Sequence, residues 1–202
     1  MDPVLLAGHV KIRGRESILD IGTGCGILLL LLLFRHPGIS ATGIEIQTEL
    51  AEIAQKNLAF NHFQARSKIL CQDIKKTDLS QIKRKPDIIV ANPPYKKKNS
   101  GRISPDRQRT IARHETAMTL EDLAAAADRL LPRAGTAYFI YPAERTTDLV
   151  CTMNAFSISP VNLQFIYTGR VKCAKLVLFK GIKHAAAPLI VLPPFFTDTL
   201  NC

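Results

Sequence analysis

The chain lacks the features that mark secreted, membrane-spanning and metal-holding proteins. Its five cysteines (Cys25, Cys71, Cys151, Cys173 and Cys202) are scattered, odd in number and nowhere spaced as C-x-x-C. That argues against a zinc site or a disulfide framework and for a reducing compartment. No apolar run approaches the roughly 20 residues that span a bilayer. The longest, Ile27 to Phe34, also begins too late for a signal peptide, and it reads as the start of a buried helix. No targeting segment is visible, so the cytoplasm is the expected compartment. Acid is scarce: 17 Asp plus Glu stand against 27 Lys plus Arg, a formal charge of +10. Such an excess suggests a polyanionic partner.

That charge is local. Between Lys83 and Arg113 stand ten basic residues (Lys83, Arg84, Lys85, Lys96, Lys97, Lys98, Arg102, Arg107, Arg109 and Arg113) against Asp87 and Asp106. The window supplies +8 of the net +10. From Lys96 to Arg113 there is no hydrophobic period, which predicts a long polar loop, and loops of that length are usually functional.

Elsewhere strands and helices alternate, the pattern of an α/β fold built on a mostly parallel sheet with helices on both faces. Strands are predicted at Ser17–Ile21, Ser40–Ile46, Lys68–Cys71, Asp87–Ala91 and Gly135–Tyr141, with a closing pair at Val161–Tyr167 and Ala174–Phe179. Helices are predicted at Ile27–Arg35, at Thr48–Asn61 with Leu50, Ile53, Ala54 and Leu58 inward, and at Ala143–Phe156. Another opens on Thr119, whose partner three residues on is Asp122, and closes at Pro132. No internal repeat or second domain is evident, so positions 1–202 read as a single domain. The first strand begins after only about sixteen residues, which suggests a truncated N-terminal region.

Asp20-Ile21-Gly22-Thr23-Gly24-Cys25-Gly26 stands at the carboxyl end of the first strand, where open α/β sheets bind ligands. Glu45 ends the second strand, placed to accept hydrogen bonds from ribose hydroxyls. Asp73 follows the third and is placed to take an adenine amino group, with Ile46 and Ile74 beside these acids. A dinucleotide fingerprint needs a third glycine that neither register supplies, which disfavours a dehydrogenase. The set instead resembles the pattern of class I S-adenosylmethionine methyltransferases. That likeness implies a Rossmann-like, seven-stranded, mostly parallel sheet with an antiparallel closing strand.

Asn92-Pro93-Pro94-Tyr95 follows directly on the fourth strand. Two prolines cannot continue a central strand, so the chain leaves the sheet in a rigid turn. Such a turn displays the Asn92 side-chain oxygen and the Pro93 carbonyl. Two acceptors gripping both hydrogens of an exocyclic amine favour a pyramidal nitrogen and free its lone pair. Positioning and electrostatics then suffice without a strong base. Tyr95 offers a flat face on which a planar group stacks.

Taken with Gly43-Ile44-Glu45-Ile46-Gln47, Arg113-His114-Glu115, Leu120–Leu123 and Pro142–Arg145, these motifs resemble the tRNA1(Val) adenine-N6 methyltransferase family across nearly the whole chain. The resemblance implies S-adenosylmethionine as cofactor, held by Asp20, Gly22, Thr23, Gly24, Gly26, Glu45, Ile46, Asp73, Ile74 and Asn92. It implies catalysis at Asn92, Pro93, Pro94 and Tyr95. A tRNA would lie along Lys96, Lys97, Lys98, Arg102, Arg107, Arg109, Arg113 and His114. No metal or membrane is expected, and the state is that of a monomer or weak dimer. Family members usually carry a further N-terminal stretch before Asp2-Pro3-Val4-Leu5-Leu6 that helps close the cofactor site, so weak cofactor binding is expected. Alternatives are a glutamine-N5 methyltransferase of a release factor and an rRNA guanine-N2 methyltransferase. A non-catalytic RNA-binding module is the reading from a different class.

Overall fold

The computed structural model describes residues 1–82, 84–93, 118–170 and 172–197. A first helix α1 (Asp2–His9) leads into β1 (Ser17–Ile21), α2 (Ile27–Arg35), β2 (Ser40–Glu45), α3 (Thr48–Phe60) and β3 (Ser67–Cys71). Then come β4 (Ile88–Ala91), α4 (Leu120–Leu130), β5 (Thr136–Pro142), α5 (Thr146–Ala155), β6 (Ile158–Tyr167) and β7 (Leu176–Lys183). Two short pieces, β8 (Ile190–Val191) and β9 (Phe195–Phe196), finish the described chain.

The strands form one sheet in the order β3-β2-β1-β4-β5-β7-β6-β8, with β9 also pairing with β6. Strands β3, β2, β1, β4 and β5 run parallel, and β7 is antiparallel to both β5 and β6. The seven expected strands and the antiparallel closing strand are therefore present, with β8 and β9 added along one edge. β1 and β4 are buried at every position, as central parallel strands covered on both faces must be.

Successive side chains of a strand point to opposite faces, and β5 shows what each face packs against. Tyr138 and Ile140 join Leu6 of α1 and Leu28, Leu29, Leu32 and Leu33 of α2 in one core cluster. Ala137, Phe139 and Tyr141 join Leu123, Ala127 and Leu130 of α4 and Leu149 and Met153 of α5 in the other. Among the described residues both faces of β5 are thus covered by helices.

Several local expectations change. The run Ile27 to Phe34 is a helix but is not buried all round: Phe34 is 81% exposed. On α3 the inward face is Ala51, Ala54 and Leu58, whereas Ile53 is 44% exposed. Small residues face inward there because α3 lies close against the glycine turn, where a Cβ on Gly26 would meet the Ala54 Cβ at 3.2 Å. The segment Ala143–Phe156 starts as a 3-10 turn, Ala143–Arg145, before α5 proper. Helix α1 escaped the sequence reading because two turns give too little period to detect. It buries Leu6 and Ala7 and carries Pro in its first turn, where no backbone hydrogen bond is lost.

His9 ends α1 edge-on to Tyr138, ring centroids 5.9 Å apart. Its Nε2 is buried and meets no hydrogen-bond partner among the described residues. Burial, then the charges of Lys11 and Lys180, push its pKa down to about 4, against an opposing hydrogen bond with Gln164. An unfolded histidine takes up its proton as pH falls through 6.5, while the folded one resists to about 4. Stability from this group is therefore lost as pH falls across that window. The denaturation midpoint is expected to drop further between pH 7 and pH 5 in the natural chain than in His9→Gln. Equal drops in urea titrations would clear His9 of that role.

Candidate active site

The parallel register brings the predicted residues to one edge of the sheet. Ile21 lies level with Ile44 of β2 and with Ala91 of β4, and Glu45 lies level with Cys71 of β3. The glycine turn, Glu45, the approach to Asp73, and Asn92 therefore all sit just past the carboxyl ends of four adjacent strands. β1 and β4 are also where the order reverses, β2 and β3 lying to one side and β5 to the other. A crevice opens at such a switch point because the chains leaving the two strands turn apart.

The turn itself is held from below. Gly22 and Thr23 donate their backbone N–H groups to the Ile44 carbonyl at 2.9 and 3.0 Å. Gly22, Gly24 and Gly26 adopt φ of +72°, +56° and +83°, a region L side chains rarely enter. At Gly22 and Gly24 a Cβ would meet nothing within 4 Å, so the backbone there borders open space. This is a cradle that a ligand can approach closely, and glycine serves both the turn and the approach.

Glu45 is 5% exposed, and both its oxygens are engaged. Oε2 accepts from the Gly24 N–H and Oε1 from the Gln47 N–H, each at 2.9 Å. Two bonds occupy only part of a carboxylate's acceptor capacity of about four lone pairs, which leaves room for ligand hydroxyls. Ile46, next along, is 36% exposed and presents an apolar surface beside it.

Asp20 lies beneath the turn. It is 1% exposed and accepts the Thr23 hydroxyl hydrogen bond at 2.6 Å. Burial, opposed by Thr23 and aided by the nearby Glu45 carboxylate, pushes its pKa up to about 7. Its direct work is therefore on Thr23, which is itself buried. Asp73 caps the 3-10 turn Ile74–Lys76, its Oδ1 accepting from the Lys75 N–H at 2.9 Å. Ile74 is 6% exposed and belongs to the core, so its side chain is committed to packing. Asn92 is half-buried and Pro93 buried directly after β4. Pro94, Tyr95, Lys96, Lys97, Lys98, Arg102, Arg107, Arg109, Arg113 and His114 lie outside the described residues.

Sequence reasoning missed three supports of this site. The Asn57 side chain on α3 donates to the Cys25 carbonyl at 2.9 Å and braces the turn. Gly43 in β2 passes so close to the turn that a Cβ there would stand 2.8 Å from Thr23 Cγ2 and from Ile69 Cδ1. On the far side, Arg129 of α4 donates to the Ile74 carbonyl at 2.7 Å. Only the glycine left a trace in the sequence. Two surface concavities, about 430 Å³ beside Cys151 and Pro160 and about 180 Å³ beside Phe34 and Phe63, involve none of the predicted residues. Among the described residues no cluster of His, Cys, Asp and Glu is set to hold a metal, and no helix is long and apolar enough to cross a membrane.

Residues 3–141 match the family model described as methyltransferase small domain. The chain belongs to that family. This methyltransferase is 42% identical over 187 residues to a tRNA1(Val) (adenine(37)-N6)-methyltransferase of Porphyromonas gingivalis, covering 92% of the chain and 71% of the relative. It is 33% identical to the Bacteroides fragilis protein of the same name, covering 91% and 77%. Among solved structures it superposes on a predicted O-methyltransferase of Agrobacterium tumefaciens with a TM-score of 0.76 at 20% identity, covering 97% and 87%. That last likeness carries the Rossmann-like class I methyltransferase fold.

The Asp20 carboxyl makes a pH-dependent prediction. The unfolded group ionises from 3.8 upward, whereas the folded one keeps its proton to about 7. Stability from Asp20 therefore declines as pH rises through that interval. Asp20→Asn, which cannot ionise, is expected to gain on the natural chain as pH rises from 5 to 8. Parallel denaturation curves at both pH values would remove this account.

Proposed function

We propose that this chain transfers a methyl group from S-adenosylmethionine to the exocyclic N6 amine of an adenine in tRNA. The observation that supports it most is Asn92 at the carboxyl end of β4, one strand from the open glycine turn, in a chain 42% identical to a relative named for that reaction. S-adenosylmethionine supplies, when bound, a methyl group on a sulfonium whose departure leaves a neutral thioether.

The residues present fit that cofactor. The open space over Gly22 and Gly24 admits its amino-acid end, Glu45 has acceptor capacity left for ribose hydroxyls, and Ile46 offers an apolar face to adenine. Asp73 stands at the adenine end. Asp20 contributes by fixing Thr23 and with it the turn.

On the acceptor side, Asn92 Oδ1 and the Pro93 carbonyl accept the two N–H bonds of the adenine amine. Nitrogen lone-pair density is thereby withdrawn from the ring and directed at the methyl carbon. Held so, the nitrogen would be placed to take the methyl group as the C–S pair went to the neutral thioether, one amine proton passing to water. The cluster from Lys96 to Arg113 serves the RNA backbone, while Tyr95 stacks the base. A loop nucleotide is extruded more cheaply than a paired one. The protein works in the cytoplasm as a monomer or weak dimer and needs no metal.

Incubation with labelled cofactor and unmodified bulk tRNA, followed by nucleoside mass spectrometry, is expected to yield N6-methyladenosine. Methylated guanine, or label in protein alone, would overturn the assignment. Asn92→Ala is expected to lower turnover by at least about a hundredfold, the scale of losing one preorganised transition-state contact. Cofactor affinity should fall far less than turnover; retained turnover would remove Asn92 from catalysis. Binding to tRNA should weaken steeply with salt through release of counterions from the phosphates.

A further inference from the structure

The side of the site that carries Asp73 is not held by the sheet. Asp73 lies beyond the last β2–β3 pair, Glu45 with Cys71, and only the Gln72 N–H, donating to the Glu45 carbonyl at 2.9 Å, continues the ladder. From Asp73 onward the chain is fastened to α4. Arg129 Nη2 donates to the Ile74 carbonyl at 2.7 Å, and the Ile74 side chain packs into the same core cluster as Leu120 and Leu123 of α4. Lys75 Nζ stands 3.8 Å from Asp122 Oδ2 and 4.0 Å from Asp73 Oδ2, between the two carboxylates.

The α4 end of this link is itself fixed. Thr119 and Asp122 form a reciprocal cap, the Asp122 N–H donating to Thr119 Oγ1 at 3.1 Å and the Thr119 N–H to Asp122 Oδ2 at 3.0 Å. The oxygen that faces Lys75 is thus also the one that starts the helix. Asp73 in turn holds the Lys75 N–H. Two local caps are joined by one ammonium group, and a guanidinium secures the peptide between them.

We infer that Arg129 and Lys75 are positioning residues that set the Asp73 carboxylate, and so the affinity for the adenosine end of the cofactor. Arg129 does most of this, since its bond is short and goes to the Ile74–Lys75 peptide, whose N–H the Asp73 carboxylate accepts. Lys75 adds a smaller share, because exposed pairs at nearly 4 Å are weak. Both act through Asp73. The inference rests on the methyltransferase reading of the site but not on the RNA acceptor.

The test is calorimetry with S-adenosylhomocysteine on the full chain, beside steady-state kinetics on tRNA. Arg129→Met is expected to raise Kd and the cofactor KM about tenfold, the scale of one hydrogen bond to a charged group. At saturating cofactor kcat should stay within about twofold, because nothing at Asn92 has moved. Arg129→Lys should recover part of the loss. Lys75→Met, on the surface, should raise Kd about twofold to threefold and serves if Arg129→Met does not fold. In an Asp73→Asn background, Arg129→Met should add little, since both changes act on one contact. Unchanged Kd in Arg129→Met and Lys75→Met, or a loss fully additive to that of Asp73→Asn, overturns the inference. Cofactor binding without tRNA methylation would overturn the RNA assignment and leave this one standing, while a natural chain that binds no cofactor overturns both.

Discussion

The Glu45 carboxylate holds the ends of β1 and β2 together. One oxygen takes the Gly24 N–H from the turn after β1, the other the Gln47 N–H from the start of α3. A hydrogen bond to a charged group contributes about 1.5–3 kcal/mol net, so this one side chain carries a substantial share of the local order. Three left-handed glycines in five residues would otherwise make the turn the loosest part of the strand edge. Because Glu45 is nearly buried, the same bonds also compensate its charge.

Asp20 works beneath the same turn by a different route. It is screened from water and raised toward neutrality, and it grips the Thr23 hydroxyl. Two carboxyls close together are tolerated because burial and the neighbouring charge push one of them to keep its proton at higher pH. The turn is thus fixed from two directions, by backbone N–H groups pulled toward β2 and by a hydroxyl pulled toward β1. Asn57 and Ala54 close it from α3. Preorganisation of this kind matters for methyl transfer, which depends on position more than on acid or base strength.

The two sides of the crevice are built on different principles. The turn, Glu45 and Asn92 sit on strand ends, where the ladder fixes their level to within a residue. Asp73 sits past its strand and is placed by α4, through Arg129 and Lys75. That helix opens at Leu120, and it braces the Asp73 segment from outside the strand ladder.

By itself the sequence determined the order of elements, the glycine turn, the acids after the second and third strands, and the Asn92-Pro93 exit from the fourth. These are legible because each is a local demand of backbone geometry: glycine for positive φ, proline for leaving a sheet, alternating periods for strand and helix. The cap at Thr119 and Asp122 was readable for the same reason and stands in the structure as expected. Only the tertiary structure decided that Asp20 is enclosed, that α3 turns Ala51 and Ala54 inward and leaves Ile53 outside, and that α1 exists as a short packed helix. Those depend on which surfaces meet across the fold, and no local pattern encodes a neighbour 30 or 50 residues away. The bond between Arg129 and Ile74 belongs to that second kind: a basic residue late in a helix looks solvated until the turn after β3 brings a carbonyl to it.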